Sequence, residues 1–266
     1  MKILLLVSLV ISYLFSANSV TGIIKPMYDG KIAVSTDGIT VKFLKKEGDR
    51  VKKGDPILQL DNKLQKLETK RRKLALQDRN QIESLEKSLI ILNEMLKQKE
   101  HLYKDAKAVS LNDLNRFKIQ YITTKAELEN LKENKKKEKI EYEISASVLK
   151  YYTLKSPVNG VITKIEPKIG EWVQAGKAIV NIVNIQTCFV EVDLTLKTIE
   201  KIKIGSLVEV KILNGSKSIY KEGVVEFISA KADSSSKLIR VKVYFDNKDK
   251  TITPGITAEV ILKSLT

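Results

Sequence analysis

Gly38-Ile39-Thr40-Val41, then Gly48-Asp49-Arg50-Val51, then Gly54 and Ile57-Leu58-Gln59-Leu60 form the stretch that decides the fold, because the chain repeats it. Gly160-Val161-Ile162-Thr163, Gly170-Glu171-Trp172-Val173, Gly176 and Ile179-Val180-Asn181-Ile182 follow with identical spacing. Each copy reads as strand, turn, short strand, turn, strand: β-branched residues alternate, and glycine stands where the chain reverses with a positive φ. One copy alone cannot cover its apolar face. Two copies packed together can, because two small sheets supply each other's core.

Between the copies the chain changes character. From Leu64 to Tyr152 there is no Gly and no Pro, and Leu, Glu, Lys and Gln are in excess, so long helices are expected. One rod would hold the two copies far apart, so two antiparallel helices are predicted. Leu85, Leu89, Leu92 and Leu96 form a 4-3-4 stripe, answered by Leu114, Phe117, Tyr121, Thr124, Leu128 and Leu131; that is a coiled-coil seam. The stripe weakens from Lys132 to Glu141, where Lys135-Lys136-Lys137 is expected to be solvated or packed on a neighbour rather than set in the seam. Reversal is predicted near Asp105–Leu111, with Ser110 capping the second helix. Arms of about 40 residues at about 1.5 Å each give a projection of roughly 60 Å.

After Asn184, alternating segments at 189–193, 207–210, 223–227, 239–243 and 257–261 read as half-buried strands. Leu196 to Ile204 is expected as a short helix ended by Gly205, and Pro254-Gly255 as a turn before the last strand. Such short strands favour a small closed barrel.

At the start, residues 1–19 have the layout of a secretory signal: a Lys, an apolar run to Phe15, then small polar residues. The run is about 13 residues where a spanning helix needs about 20, which favours cleavage, with Val20 first in the mature chain, over a retained anchor. No Cys follows the leader, which excludes lipidation there. The chain has one Cys and one His, which removes disulfide frameworks, Cys zinc clusters, catalytic triads and multi-His metal sites. Past the initiator only Met27 and Met95 remain, too few for a thioether metal site. A net charge of +15 without an aromatic-rich basic stretch argues against nucleic acid; weak attraction to anionic lipid is its expected effect, beside simple Lys-rich composition.

The paired half-motifs, with Ser156-Pro157-Val158-Asn159-Gly160 as entry to the second half, resemble the lipoyl/biotinyl fold as it occurs split in the membrane fusion proteins, the periplasmic adaptors of HlyD and RND-pump type. The expected architecture is α+β, elongated and multidomain. It comprises a split lipoyl/biotinyl-like β-sandwich (20–61 and 153–184), an inserted coiled-coil hairpin (62–152) and a small β-barrel (185–266). The resemblance implies no enzyme activity, no cofactor and no metal. It implies an inner-membrane transporter, RND type favoured over ABC or type I, an outer-membrane channel, a trimer or hexamer in the assembled pump, and possible peripheral membrane contact at the inner membrane in the periplasm. The family's tip pattern of Arg, three residues, Leu, six residues, Ser falls here on Lys99, Tyr103 and Ser110, the expected channel contacts; two of the three differ, and Lys lacks the bidentate fork of Arg. Two other classes stay open: a lipoyl or biotinyl carrier subunit, which would need a Lys on a tight turn where this chain runs through Asp61-Asn62-Lys63 into helix, and a structural coiled-coil protein of the envelope.

Overall fold

The computed structural model describes residues 18–214 and 217–262; most of the expected leader lies outside them. The chain runs β1 (Asn18–Ala33), β2 (Gly38–Phe43), β3 (Arg50–Val51), β4 (Pro56–Leu60), α1 (Lys63–Gln77) and α2 (Asn80–His101) to a single π-helical turn (Leu102–Ala106). It returns through α3 (Leu111–Tyr151), β5 (Thr153–Lys155), β6 (Gly160–Ile165), β7 (Trp172–Val173) and β8 (Ala178–Leu194). It ends with α4 (Leu196–Ile199), β9 (Leu207–Asn214), β10 (Lys217–Ala232), β11 (Ile239–Asp246) and β12 (Thr257–Leu262). Among the described residues no helix is long and apolar enough to cross a membrane.

The two repeat copies clasp each other reciprocally. Gly38 lies opposite Val173 in the β2–β7 pair, and Gly160 lies opposite Val51 in the β3–β6 pair. Gly48 and Gly170 have φ of 87° and 88°, the left-handed geometry their spacing predicts. Val51, Ile57, Leu58 and Leu60 from one copy and Ile162, Val173, Ile179 and Ile182 from the other bury their side chains in one shared core.

The second core fills a closed barrel. Strands run β1-β12-β9-β10-β11-β8, and β8 pairs back onto β1. Ile24, Val190, Val210, Val225, Val243 and Val260 point inward, at about 1.5–3 kcal/mol of transfer energy per fully buried aliphatic side chain. The barrel therefore has a strand that the alternation after residue 184 did not supply: β1, from the start of the chain. Gly22, Pro26 and Met27 blur the period-two signal there. Both β1 and β8 continue from the barrel into the sandwich, so residues 18–26, read from the sequence as sandwich or leader, pair in the barrel. The helix expected at 196–204 is also shorter, at Leu196–Ile199. Beyond it, i to i+3 bonds such as Ile202 N–H to Ile199 O (3.0 Å) tighten the chain, and Ile202 drops into the barrel core.

Candidate functional site at the hairpin tip

The roots of the hairpin are tied together where it leaves the sandwich: the Leu60 N–H donates to the Tyr152 carbonyl at 2.8 Å. Its near half has a polar seam. Ser145 of α3 and Thr69 of α1 are buried with their hydroxyls 2.8 Å apart, and the Gln65 amide reaches Ser145 Oγ at 3.1 Å. Beside them Glu68 accepts from Arg71 and Arg72, and Arg72 also donates to Glu141 at 2.5 Å. The hydrogen bond from Arg71 is the main force holding the Glu68 carboxyl down at about 2.

The far half has the apolar seam the sequence predicts. Ile82, Leu114 and Leu128 are buried, and Leu85, Leu89, Leu92 and Leu96 are half-buried along α2. Lys132 of α3 pairs with Glu86 of α2 at 2.8 Å, a bond that lowers the Glu86 pKa.

Two features depart from expectation where these halves meet. The outgoing arm is two helices: Asp78 leaves helical geometry at ψ 113°, and its carboxylate accepts the Asn80 N–H at 3.2 Å, a local turn that competes with helix continuation. Lys135, expected outside the seam, is inside it and partly buried. Its ammonium donates to the Ala75 carbonyl at 2.7 Å and to Glu138 at 2.7 Å. A cation at a helix C-terminus satisfies carbonyls that have no intrahelical partner and meets the negative end of the dipole. The Ala75 carbonyl, which the Asp78 N–H also meets at 3.2 Å, therefore gains a charged donor from across the hairpin.

At the tip, α2 passes through the π turn, and Lys107 adopts left-handed φ 47°, a position where Gly or Asn is usual. Ser110 caps α3 as its spacing predicts: its Oγ accepts the Asp113 N–H at 3.1 Å and donates to the Asp113 carboxylate at 2.7 Å. Tyr103 is half-buried in the π turn. Lys99 lies on the flank, with Nζ 5.7 Å from the centre of the Phe117 ring on the opposite arm. The three residues thus share one end of the molecule without forming a cluster; among the described residues no hydrogen bond or ion pair joins them. Sequence reading missed Leu102 and Leu111, which leave apolar surface at the tip, 40% and 54% exposed. His101 Nδ1 meets the Asp105 carboxylate beside the turn, and Lys118 forms an ion pair with Glu100.

Residues 31–185 match the family described as RND MFP, barrel-sandwich hybrid domain, and residues 187–266 match CusB-like, beta-barrel domain. No curated protein matches the chain. Among solved structures, MacA from Actinobacillus actinomycetemcomitans is similar at 23% identity and TM-score 0.75, over 91% of this chain and 77% of that one. The membrane fusion protein Spr0693 from Streptococcus pneumoniae R6 is similar at 14% identity and TM-score 0.63, over 93% and 99%. A putative efflux transporter from Bacteroides eggerthii is similar at 19% identity and TM-score 0.55, over 91% and 67%. With a barrel-sandwich hybrid interrupted by a helical hairpin and followed by a β-barrel, the chain belongs to the membrane fusion protein family, the periplasmic adaptors.

Proposed function

We propose that the chain is the periplasmic adaptor of a tripartite efflux pump, joining an inner-membrane transporter of RND type to an outer-membrane channel. The observation that carries this reading is the hairpin itself: an antiparallel rod inserted between the halves of a sandwich, its roots hydrogen-bonded and its far seam apolar. A rod of this kind spans distance and holds no reaction. The RND family match supports the transporter class, and the likeness to the Bacteroides eggerthii efflux transporter supports efflux. In this reading the barrel docks on the transporter, and Lys99, Tyr103 and Ser110 meet the channel. Copies stand side by side as a trimer or hexamer, burying outward isoleucines such as Ile119, Ile122, Ile140 and Ile144 of α3, all exposed in the single chain.

Export measured in cells carrying Ser110→Arg tests the docking tip. A bulky charge there is expected to abolish export while the purified variant melts close to the parent, because an exposed N-cap contributes only about 1 kcal/mol. Ser110→Asp, which keeps a capping oxygen, controls for loss of the cap. Normal export with Ser110→Arg overturns the assignment.

A further inference from the structure

The β1–β8 ladder slips where the two cores meet, and again at its far end between Ile32 and Ala33. Pro26 faces Cys188, but the next pair is Tyr28 with Asn184, so Ile185, Gln186 and Thr187 stand against Met27 alone. An irregularity of this kind bends strands and re-aims side chains. Two hollows border it, of about 350 and 840 Å³, and Val161, Ile185 and Lys250 line both. The two hollows share that wall, and each is of small-molecule size.

The two ends differ in chemistry. The larger hollow is walled by Ile23, Met27, Phe189, Tyr244 and Pro254; Ile23 and Met27 are each 54% exposed. Two of its cations are already engaged: Lys25 with Glu191 at 2.9 Å, and Lys242 over the Phe189 ring at 4.9 Å. Asp29 is its one carboxylate.

The smaller hollow has Arg50, Lys52 and Lys250 in its wall, and among the described residues none of the three is in an ion pair. Its one carboxylate, Asp55, accepts the Lys52 N–H at 3.0 Å and is outnumbered by the three cations. Asn159 Oδ1 accepts from the Lys53 N–H at 2.9 Å and Asn184 Oδ1 from the Gln186 N–H at 3.0 Å, which leaves both amides their NH₂ donors. Lys250 stands at the join in left-handed geometry, φ 56°. A non-glycine residue keeps such a φ only where its surroundings fix it, and here they do. Buried Asn247 takes the Lys250 N–H on its carbonyl at 2.9 Å, and its side chain bonds the Ile185 and Ile252 carbonyls, each at 2.9 Å.

We propose that the two hollows act as one groove that binds a single-chain amphipathic anion across their shared wall, its head on Arg50, Lys52 and Lys250 and its tail along Ile23, Met27 and Phe189. The site goes beyond the adaptor reading and does not depend on it.

Calorimetric titration of the purified chain with decanoate, decanol and decyltrimethylammonium, each below its micelle concentration, is the test. Decanoate is expected to bind one per chain, at least tenfold tighter than the alcohol or the cation, and to weaken as salt rises. Lys250→Asn, which tolerates left-handed backbone, and Lys52→Gln, in an exposed turn, are each expected to lower decanoate affinity by about tenfold, the scale of one charge-assisted hydrogen bond. Met27→Asp is expected to lower it from the tail end. Absence of saturable decanoate binding, equal affinity for all three probes, or affinity unchanged in both Lys52→Gln and Met27→Asp overturns the proposal; both of these residues are exposed, so folding is not at issue.

Discussion

Gly48 donates its backbone N–H to the carbonyl of Ile162 at 2.8 Å, and Gly170, its counterpart in the other copy, donates to Thr40 at 2.8 Å. Thr40 and Ile162 are therefore equivalent positions in the two halves. They differ in one respect: both are fully buried, but the Thr40 hydroxyl has no hydrogen-bond partner among the described residues.

Thr40→Val should accordingly raise the melting temperature or leave it unchanged, because the same shape is kept and an unsatisfied buried hydroxyl is removed, about 1–3 kcal/mol of desolvation. Ile162→Thr should do the reverse and destabilise by a similar amount or more. Denaturant unfolding of both variants checks the pair; a large loss in Thr40→Val would mean that the hydroxyl has a role the geometry does not show.

Gly48→Ala and Gly170→Ala should cost nearly the same, about 1–2 kcal/mol each. An added Cβ at either position meets nothing within 4 Å, so only backbone strain acts. Unequal midpoints in urea would break the equivalence.

Lys135→Gln should loosen the end of α1 without unfolding the hairpin. The Ala75 carbonyl loses its charged donor, about 1 kcal/mol. Hydrogen exchange is the sensitive probe: amides around Gln77–Asn80 should exchange faster than in the parent, while those of α2 beside Leu89 should not change.

Particular residues show why some of this was legible in the sequence and some was not. The repeat could be read because Gly48, Gly54, Gly170 and Gly176 each answer a local demand, a turn with positive φ, whatever the rest of the chain does. Ser110 could be read for the same reason, since its partner is three residues away. The break at Asp78-Arg79 could not: neither residue forbids helix, and the charged donor on the last turn of α1 is Lys135 on another helix, whose place opposite Ala75 depends on the register of the arms. The same register puts Lys99 over Phe117 and off the apex. The sixth barrel strand was hidden because β1 belongs to the barrel by virtue of pairing with β12, at the far end of the sequence.

Acid should act on the near half of the hairpin through Glu68. Its carboxyl sits at about 2 when folded against an ordinary value of 4.5. A lowered folded pKa gives stability that is complete above the unfolded value and is lost as pH falls through the folded one. The melting difference between parent and Glu68→Gln should therefore hold from neutral pH to about pH 5 and shrink between there and about pH 2. A difference constant across that range would mean that the Arg71 and Arg72 pairing contributes nothing in solution, as exposed pairs sometimes do.

The hydrogen bond between Leu60 and Tyr152 has a consequence for the order in which the molecule assembles. Neither half of the sandwich has a core until the other arrives, and the whole hairpin is made between them. Once the arms zip, their roots meet, and the separation the two halves must close shortens roughly fourfold, which lowers the entropy of closure by about 1 kcal/mol. Helical arms form quickly from local contacts, whereas distant strands pair slowly. The rod that later reaches outward thus begins as a clamp, delivering the second half of its own foundation to the first.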